Sequence, residues 1–246
     1  MKIKDQKVIL VTGGGRGIGA SIVDKFLRND FFVYSVGTNR DKVHELNNSI
    51  KNKNLVHLHA DFLENNGVQT FISQLPKLKP IDICINNAGI NRIKLLPNIE
   101  EEDFDDVFQV NVKAPYLISQ YISKGMKERK FGRIVNISSI WGEITKAGRS
   151  VYSASKSSIL GFTRTMGVEL AKDNVLVNAV SPGFTLTDLT KNSLSSEEIK
   201  DLEKQIPINK MAQPVDIAEL IFFLASEKNK YIVGQNIIID GGFSIV

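Results

Sequence analysis

A glycine-rich turn near the start of the chain constrains the fold more than any other feature. Residues 12–19 read TGGGRGIG, and they follow the apolar run 8–11 and precede an amphipathic stretch at 18–27. A strand, a glycine turn and a helix in this order are the context of a dinucleotide-binding fingerprint, although a purely structural turn can have a similar sequence. Glycines let the backbone approach a pyrophosphate, which then lies at the positive end of the helix. The turn therefore predicts a nucleotide-binding α/β fold.

The rest of the chain continues this alternation of strand-like and helix-like segments, which is typical of βαβ units in a parallel sheet. A length of 246 residues with 42% hydrophobic residues suits one domain with one sizeable core. We predict a single α/β domain over residues 1–246, a Rossmann-type doubly wound parallel sheet of about seven strands with helices on both faces. The predicted strands lie near residues 7–11, 31–36, 54–60, 81–85, 132–137, 175–180 and 236–239. The predicted helices cover about residues 17–29, 40–52, 64–75, 103–128, 150–172 and 214–226.

The ligand edge of this sheet follows from the strand directions, because ligands bind beyond the carboxyl ends of parallel strands. Gly13, Asn87 and Ser139 each follow the end of a predicted strand, so we expect them to converge there. Residues 184–212 contain several polar side chains and Pro207, and no strand is predicted within them. This segment is predicted to be a helical excursion over the site that acts as a substrate lid.

Tyr152 and Lys156 are the pair that most directly indicates chemistry. They are four residues apart in a predicted helix and therefore share one of its faces. An ammonium group beside a phenol favours the phenolate, which brings the pKa of tyrosine from about 10 toward neutrality. A lone Tyr-x-x-x-Lys is also typical of a surface tyrosine and a solvated lysine, so the interpretation depends on the accompanying motifs.

Taken together, these motifs resemble the short-chain dehydrogenase/reductase family. Ser139 precedes Tyr152 by thirteen residues, and the resemblance extends from about residue 5 to the C-terminus. The motifs that carry it, in the order of the family, are the glycine turn, Asn86-Asn87-Ala88-Gly89, Asn111, Ser139, Tyr152-x-x-x-Lys156 and Ser181-Pro182-Gly183.

The resemblance implies a role for each of four catalytic residues. Tyr152 would act as general acid in reduction and as base in oxidation. Lys156 would lower the pKa of the tyrosine and hold the nicotinamide ribose, and Ser139 would bind the substrate carbonyl oxygen. Asn111 would form a helix kink that supports a water between Lys156 and solvent, or would be a simple buried polar residue. No metal is required, because the cofactor supplies the hydride.

The cofactor is predicted to be NADP(H). The second strand ends in Gly37-Thr38-Asn39-Arg40, with no carboxylate to bind an adenosine ribose and select NAD. Arg16, with Thr38, could instead bind a 2′-phosphate, or Arg16 could be a surface charge. The predicted cofactor-binding residues are Gly13, Gly15, Arg16, Gly17, Ile18, Gly19, Thr38, Asp61, Phe62, Asn87, Ala88, Gly89, Tyr152, Lys156, Pro182, Gly183 and Thr185.

Within the family the chain is most similar to 3-oxoacyl-[acyl-carrier-protein] reductases, which implies acyl carrier protein as a partner. That resemblance places basic docking residues beside the site. Arg129 and Lys130 fill one position, but Asp173 lies at the other, where it would repel an acidic partner. An alternative is a small polar or anionic substrate such as a sugar, a sugar nucleotide or a keto acid, and another is a non-catalytic cofactor-binding protein. Loop residues that either face such a substrate or are merely solvated are Arg92, Lys94, Trp141, Glu143, Lys146 and Arg149.

The remaining sequence features bear on location and partners. The net charge of +4 is scattered, which makes nucleic acid a poor candidate ligand. The single cysteine, Cys84, lies in an apolar run and suits a reducing cytosol, and the first seven residues lack the apolar region of a secretory signal. With no run of about 20 apolar residues, we predict a cytoplasmic protein without a membrane span. The family resemblance implies a homotetramer. The apolar residues taken to support it are Val107, Phe108, Val110, Tyr116, Ile159, Leu160, Phe162 and Met166.

Overall fold

The computed structural model describes residues 6–246, except for the side chains of Leu189 and Ser193, and its centre is a seven-stranded parallel sheet. Residues 1–5, on which the expectation about a secretory signal partly depends, lie outside the described residues. The strand order is β3-β2-β1-β4-β5-β6-β7, so the direction of winding reverses between β1 and β4. The strands are β1 Val8–Thr12, β2 Phe32–Gly37, β3 Leu55–His59, β4 Ile83–Asn86, β5 Gly132–Ile137, β6 Val175–Pro182 and β7 Asn236–Ile239.

Helices cover both faces of the sheet because successive residues of each strand point to opposite sides. In β1, Ile9 and Val11 pack in one core and Val8 and Leu10 pack in the other. The first core contains α1 and α9, and the second contains α3, α5 and α6. This arrangement confirms the predicted fold class. The helices are α1 Gly17–Leu27, α2 Arg40–Ser49, α3 Gly67–Gln74, α4 Glu101–Phe108, α5 Ala114–Glu128, α6 Ser150–Leu170, α7 Asp188–Ser193, α8 Ser196–Gln205 and α9 Pro214–Ala225.

The predicted helix over residues 103–128 is divided in the structure. A π-helical segment, Gln109–Lys113, separates α4 from α5 and contains Asn111. Pro115 explains the break, because it has no N–H to donate to the carbonyl of residue 111, four positions earlier. The helix also starts two residues earlier than predicted, since Glu100 and Asp103 form a reciprocal capping box.

Residues 184–212 contain two short helices, α7 and α8. The ends of the segment are joined to each other, since Leu186 N–H donates to the Ala212 carbonyl and Ala212 N–H donates to the Phe184 carbonyl. Ile206 is only 2% exposed, so the segment is packed onto the domain. Along the described part of the chain, no helix combines the length and the apolar character that crossing a membrane requires.

Candidate active site

Ser139, Tyr152 and Lys156 meet at the carboxyl edge of the sheet. Ser139 follows β5, and the other two lie on the first two turns of α6. The Ser139 hydroxyl lies near enough to the Tyr152 phenol to favour its anion, and Ser139 Oγ accepts a hydrogen bond of 3.2 Å from the backbone N–H of Trp141. Lys156 Nζ lies 5.6 Å from the centroid of the Tyr152 ring and donates to the carbonyl of Ile137 at 2.8 Å. The structure therefore brings the three predicted residues into one cluster.

Burial shifts the pKa values of Tyr152 and Lys156 in opposite directions. Loss of solvent raises the pKa of the Tyr152 phenol, and the Ser139 hydroxyl and the positive charge of Arg149 only partly oppose that effect. Loss of solvent also lowers the pKa of the Lys156 ammonium to about 8. The expectation that Lys156 lowers the pKa of Tyr152 is thus not met, because burial dominates and the ammonium is directed at the Ile137 carbonyl.

Asn111 connects the loop after β4 to the first turn of α6. Its amide bonds both backbone groups of Ile90, accepting from the N–H at 2.8 Å and donating to the carbonyl at 2.9 Å. Asn111 Nδ2 also donates to Ser155 Oγ at 3.1 Å, and that hydroxyl donates to the Tyr152 carbonyl at 2.7 Å. Asn111 is 1% exposed and lies in the π-helical segment, so it is a buried polar residue at a kink. The water relay between Lys156 and solvent stays a prediction.

The glycine turn is held against the end of β4. Thr12 Oγ1 accepts from the backbone N–H groups of Asn87 at 3.0 Å and Ala88 at 3.1 Å, and the Asn87 amide donates to the Thr12 carbonyl at 3.1 Å. A Cβ on Gly19 would lie 2.0 Å from the Gly13 carbonyl oxygen, and Gly13 has a φ of +65°. These positions require glycine because the backbone segments approach so closely.

The turn also leaves the start of α1 open. Gly15 and Arg16 are exposed, and nothing lies within 4 Å of a Cβ built on Gly15. No side chain caps α1, so its first N–H groups are available to an anion. Gly17 and Ile18, the first two residues of the helix, are partly exposed beside them. This is the geometry that the fingerprint predicts for a pyrophosphate site.

The residues expected around the adenosine lie at the ends of β2 and β3. Thr38 is exposed after β2, as a 2′-phosphate contact requires. Phe62 differs from the expectation, because its ring is 4% exposed and packs 5.8 Å from the ring of Phe71 in the core. Only its backbone could contact an adenine. The carboxylate of Asp61 accepts from the Leu63 N–H at 3.0 Å.

The end of β6 brings the start of the segment 184–212 to the site. Gly183, which follows Pro182, packs so closely on Asp240 that an added Cβ would lie 2.6 Å from the Asp240 Cβ. Thr185 is 9% exposed and donates to the Gly183 carbonyl at 3.1 Å. Thr187 then contacts the glycine turn, where its methyl group would lie 3.2 Å from a Cβ on Gly17. The segment 184–212 thus begins directly over the turn.

The charged loops at the mouth of the site are largely neutralised. Lys94 Nζ lies 2.5 Å from an oxygen of Asp103, which raises the pKa of the lysine and lowers that of the carboxyl. Arg92 lies 2.9 Å from Asp106, and Glu143 accepts from Asn236 at 2.8 Å. These three groups are therefore engaged within the protein, and a contact between them and a substrate stays a prediction. Within residues 6–246 neither Lys146 nor Arg149 forms an ion pair.

The predicted docking residues lie at the other edge of the sheet. Arg129 and Lys130 immediately precede β5, and Asp173 precedes β6, so all three are at the amino ends of their strands. The six residues of β5 separate them from Ser139 by about 20 Å. Asp173 is 6% exposed and pairs with Lys130 at 2.5 Å, so it is no free repulsive charge. The expectation that these residues flank the site of their own chain is wrong.

Two features of the site were missed by sequence reasoning. An aromatic cluster joins three loops, with the Trp141 ring 6.2 Å from that of Phe184 and 6.5 Å from that of Phe243. Beneath the site, Asn136 on β5 accepts from Asn86 at 2.7 Å and donates to Thr163 on α6 at 2.9 Å. Polar residues in apolar strands were the available signal for the second feature. The first joins distant loops and has no local signature.

An apolar cleft completes the description of the surface near these elements. A cleft of about 480 Å³ beside the first turn of α6 is lined mainly by apolar groups, with Lys146 at its rim. Its lining residues are Leu95, Leu96, Pro97, Thr145, Lys146, Ala147, Gly148 and Ser150. Among the residues that the structure describes, no group of three or more His, Cys, Asp or Glu side chains is arranged to hold a metal ion.

Comparison with known proteins identifies the family. The sequence profile of the family described as short chain dehydrogenase matches residues 7–198. The chain belongs to the short chain dehydrogenase family. This confirms the predicted family, and the chain is accordingly an oxidoreductase. It is 39% identical over 248 residues to the 3-oxoacyl-[acyl-carrier-protein] reductase FabG of Aquifex aeolicus (strain VF5), covering 98% of this chain and 99% of that protein.

Solved structures of short chain dehydrogenases agree with the fold. The structure of ElxO with NADP bound has a TM-score of 0.89 and 31% identity, covering 97% of this chain and 98% of that chain. The structure of 4-hydroxyisoleucine dehydrogenase complexed with NADH has a TM-score of 0.89 and 30% identity, with the same coverage. These two structures are equally similar to this chain but contain different nicotinamide cofactors.

Proposed function

We propose that this chain is an NADPH-dependent reductase that converts a ketone into a secondary alcohol. The cluster of Ser139, Tyr152 and Lys156 at the open carboxyl edge carries the proposal, because a hydroxyl pair and a cation there suit proton transfer to a carbonyl oxygen. The uncapped start of α1 and the exposed Arg16 suit the phosphates of a dinucleotide. A non-catalytic binding protein would have no need of the buried Lys156.

In this mechanism the residues of the chain orient the carbonyl and supply a proton. When bound, the cofactor supplies the hydride that reduces the carbonyl carbon. Ser139 Oγ, held by the Trp141 N–H, donates to the carbonyl oxygen beside Tyr152. The Tyr152 hydroxyl gives its proton to that oxygen, and the resulting phenolate is stabilised by the neighbouring cations. Asn111 fixes the start of α6 through Ser155, so the phenol stays aligned with Ser139.

The substitution Tyr152→Phe tests the role of the phenol. We expect the variant to bind NADPH as the wild type does, because the ring is retained, and to lose turnover by about 10²- to 10⁴-fold, the contribution of a general acid. Cofactor fluorescence titration and initial rates of NADPH oxidation measure the two quantities. Turnover at the wild-type rate would remove Tyr152 from the mechanism.

We infer that the cofactor is NADP(H) because of Arg16 and Thr38. Both are exposed next to the adenosine position, where the sequence has no carboxylate to bind a 2′-hydroxyl. Arg16→Ala should weaken NADPH binding by about ten- to a hundredfold, since hydrogen bonds to a charged phosphate contribute roughly 1.5–3 kcal/mol. NADH binding should change little. Equal weakening of both cofactors would show that Arg16 does not contact the 2′-phosphate.

We further propose that the substrate is a 3-oxoacyl thioester on acyl carrier protein. The similarity to the FabG reductase supports this choice, and so does the apolar cleft beside the first turn of α6, which suits an acyl chain. The acids that pair with Arg92 and Lys94 leave these cations unavailable to a small anion. Only Lys146 and Arg149, which lack ion pairs within residues 6–246, favour the second candidate, a small polar or anionic ketone.

Rates with matched substrates distinguish the two candidates. We expect robust NADPH oxidation with a carrier-bound 3-oxoacyl thioester, weaker oxidation with the corresponding free thioester, and little with sugar nucleotides or keto acids. The reverse order would favour the second candidate. A cytosolic location, which the buried thiol of Cys84 suits, and a homotetrameric assembly complete the proposal.

A further inference from the structure

Arg149 is a cation fixed at the start of α6. It is the N-cap residue of this helix, and its carbonyl accepts from the Ser153 N–H at 2.7 Å. Tyr152 follows three positions later in the first turn of the helix, and the positive charge of Arg149 acts on its phenol. The guanidinium carbon lies 5.5 Å from the centroid of the Trp141 ring, which is a cation–π contact.

Trp141 fixes this cation relative to the site. The indole is 9% exposed and packs against Phe184 and Phe243, so its position is set by three loops. Its backbone N–H donates to Ser139 Oγ at 3.2 Å, and the same Ser139 hydroxyl acts on the Tyr152 phenol. Arg149 is therefore held by its N-cap position and by the tryptophan, next to the elements that carry Ser139 and Tyr152.

Most other charged groups around Tyr152 have partners of their own. Lys156 donates to the Ile137 carbonyl at 2.8 Å. Its pKa of about 8 means that it loses its charge at moderately alkaline pH, whereas a guanidinium keeps its charge throughout that range. On the neighbouring elements, Glu143 accepts from Asn236, and Asp103 and Asp106 pair with Lys94 and Arg92. The exposed charged residues on these elements include Lys146, Glu101, Glu102, Asp105 and Lys113.

We propose that Arg149 is a positioning residue that stabilises the phenolate of Tyr152 and thereby sets the pH range of the reaction. The inference rests on the proposed function. In ketone reduction the Tyr152 hydroxyl loses its proton to the carbonyl oxygen, and in alcohol oxidation the phenolate takes a proton from the hydroxyl. A fixed cation favours the phenolate, so it allows oxidation to begin at lower pH. The charge of Arg149 opposes the rise that burial produces in the pKa of Tyr152.

The pH dependence of kcat/KM for oxidation of a 3-hydroxyacyl thioester by NADP⁺ tests this role. We expect Arg149→Gln to move the ascending limb of this pH profile to higher pH by about 0.5–1 unit, since a partly screened cation is removed. Arg149→Lys should keep the limb within about 0.3 unit of the wild type, because the positive charge is retained. The matched control is Arg164→Gln, which removes an exposed cation from the same helix, twelve residues beyond Tyr152, and should leave the limb in place.

Two results would overturn the proposal. One is an unchanged limb in Arg149→Gln. The other is an increase in KM with no change in the limb, which would mean that Arg149 contacts the substrate instead. Circular dichroism at each pH confirms that every variant is folded across the range compared.

A titration without substrate separates this inference from the proposed function. The phenolate absorbance of Tyr152 is obtained by subtracting the curve of Tyr152→Phe, in the wild type and in the Arg149→Gln background. An upward shift of this titration curve in the Arg149→Gln background, of the same size as the shift expected in the kinetic profile, supports the action of Arg149 on Tyr152. This holds even if no thioester is turned over. An identical curve in both backgrounds contradicts it, even if thioester reduction is fast.

Discussion

At the scale of single residues, burial determines the acid–base properties of the site. Lys156 is 4% exposed, and burial alone accounts for the fall of its pKa to about 8. Tyr152 is affected in the opposite sense, since desolvation disfavours its anion. Both shifts favour the uncharged forms of Tyr152 and Lys156. Charging either side chain in the folded protein therefore costs free energy, which only nearby cations and hydrogen bonds offset.

The cost at Lys156 should be visible in the pH dependence of stability. A lysine whose pKa is about 8 when folded and 10.5 when unfolded binds more protons in the unfolded state between these values. The free energy of unfolding of the wild type should therefore rise with pH across this window, by up to about 3 kcal/mol relative to Lys156→Met. Urea denaturation at intervals from pH 8 to 10.5 measures the difference. If the difference in the free energy of unfolding between the wild type and Lys156→Met stayed constant with pH, burial would not destabilise the charged form of Lys156.

At the scale of secondary-structure elements, hydrophobic patterns predicted most of the fold. The bounds predicted for β5 and β7 are those observed, because both strands are apolar runs between clear turn signals. The kink at Asn111 was expected from the family resemblance, but the division into α4 and α5 by a π-helical segment was not, although Pro115 provides a signal for it in the sequence. Helix ends were misplaced by a few residues, since capping contacts determine them more than periodicity does.

The site was predictable where its residues belong to local motifs. Ser139, Tyr152 and Lys156 come together because two adjacent elements present them at one edge. The position of Arg129 and Lys130 was also available from the sequence, since residues before a parallel strand lie at its amino end. The ion pair of Lys94 with Asp103 could not be predicted from the sequence, because it depends on how a loop folds back onto a helix.

The contact between α6 and the sheet provides a prediction at this scale. Thr163 on α6 is 1% exposed and accepts from the fully buried amide of Asn136 on β5. Thr163→Val keeps the shape of the side chain but leaves this donor without an acceptor, so it should lower the free energy of unfolding by about 1–3 kcal/mol. Urea denaturation measures it. The control Thr165→Val, at an exposed position of the same helix, should change stability by less than about 0.5 kcal/mol. Equal effects would show that the buried amide contact contributes nothing specific.

At the scale of the whole molecule, the question is which apolar surface remains after the sheet is covered. Tyr116 is 43% exposed, as the expected assembly requires. Phe104 on α4 and Val168 on α6, which sequence reasoning did not single out, are 45% and 81% exposed. Five of the residues predicted to support an assembly lie instead in the interior: Val107, Val110, Ile159, Leu160 and Met166.

Two aromatic pairs form the candidate interface. Tyr116 on α5 lies 6.0 Å from Phe162 on α6, and Phe104 stacks on Phe108 within α4 at 4.4 Å. An apolar surface of this kind is stabilised by a partner, and a two-fold arrangement would pair each patch with its copy. The proposed homotetramer would use this surface for one of its interfaces.

Light scattering at micromolar concentration tests this assembly. We expect the wild type to have close to four times the chain mass of 27.3 kDa. Tyr116→Glu should shift the mass toward two chains, because a carboxylate within an apolar interface has no partner and must be desolvated. The matched control is Leu63→Glu, at a position that is 42% exposed near the β3 edge of the sheet, far from α5, and it should retain the wild-type mass. A wild-type protein with the mass of one chain would refute the tetramer, and an unchanged mass in Tyr116→Glu would exclude this surface as its interface.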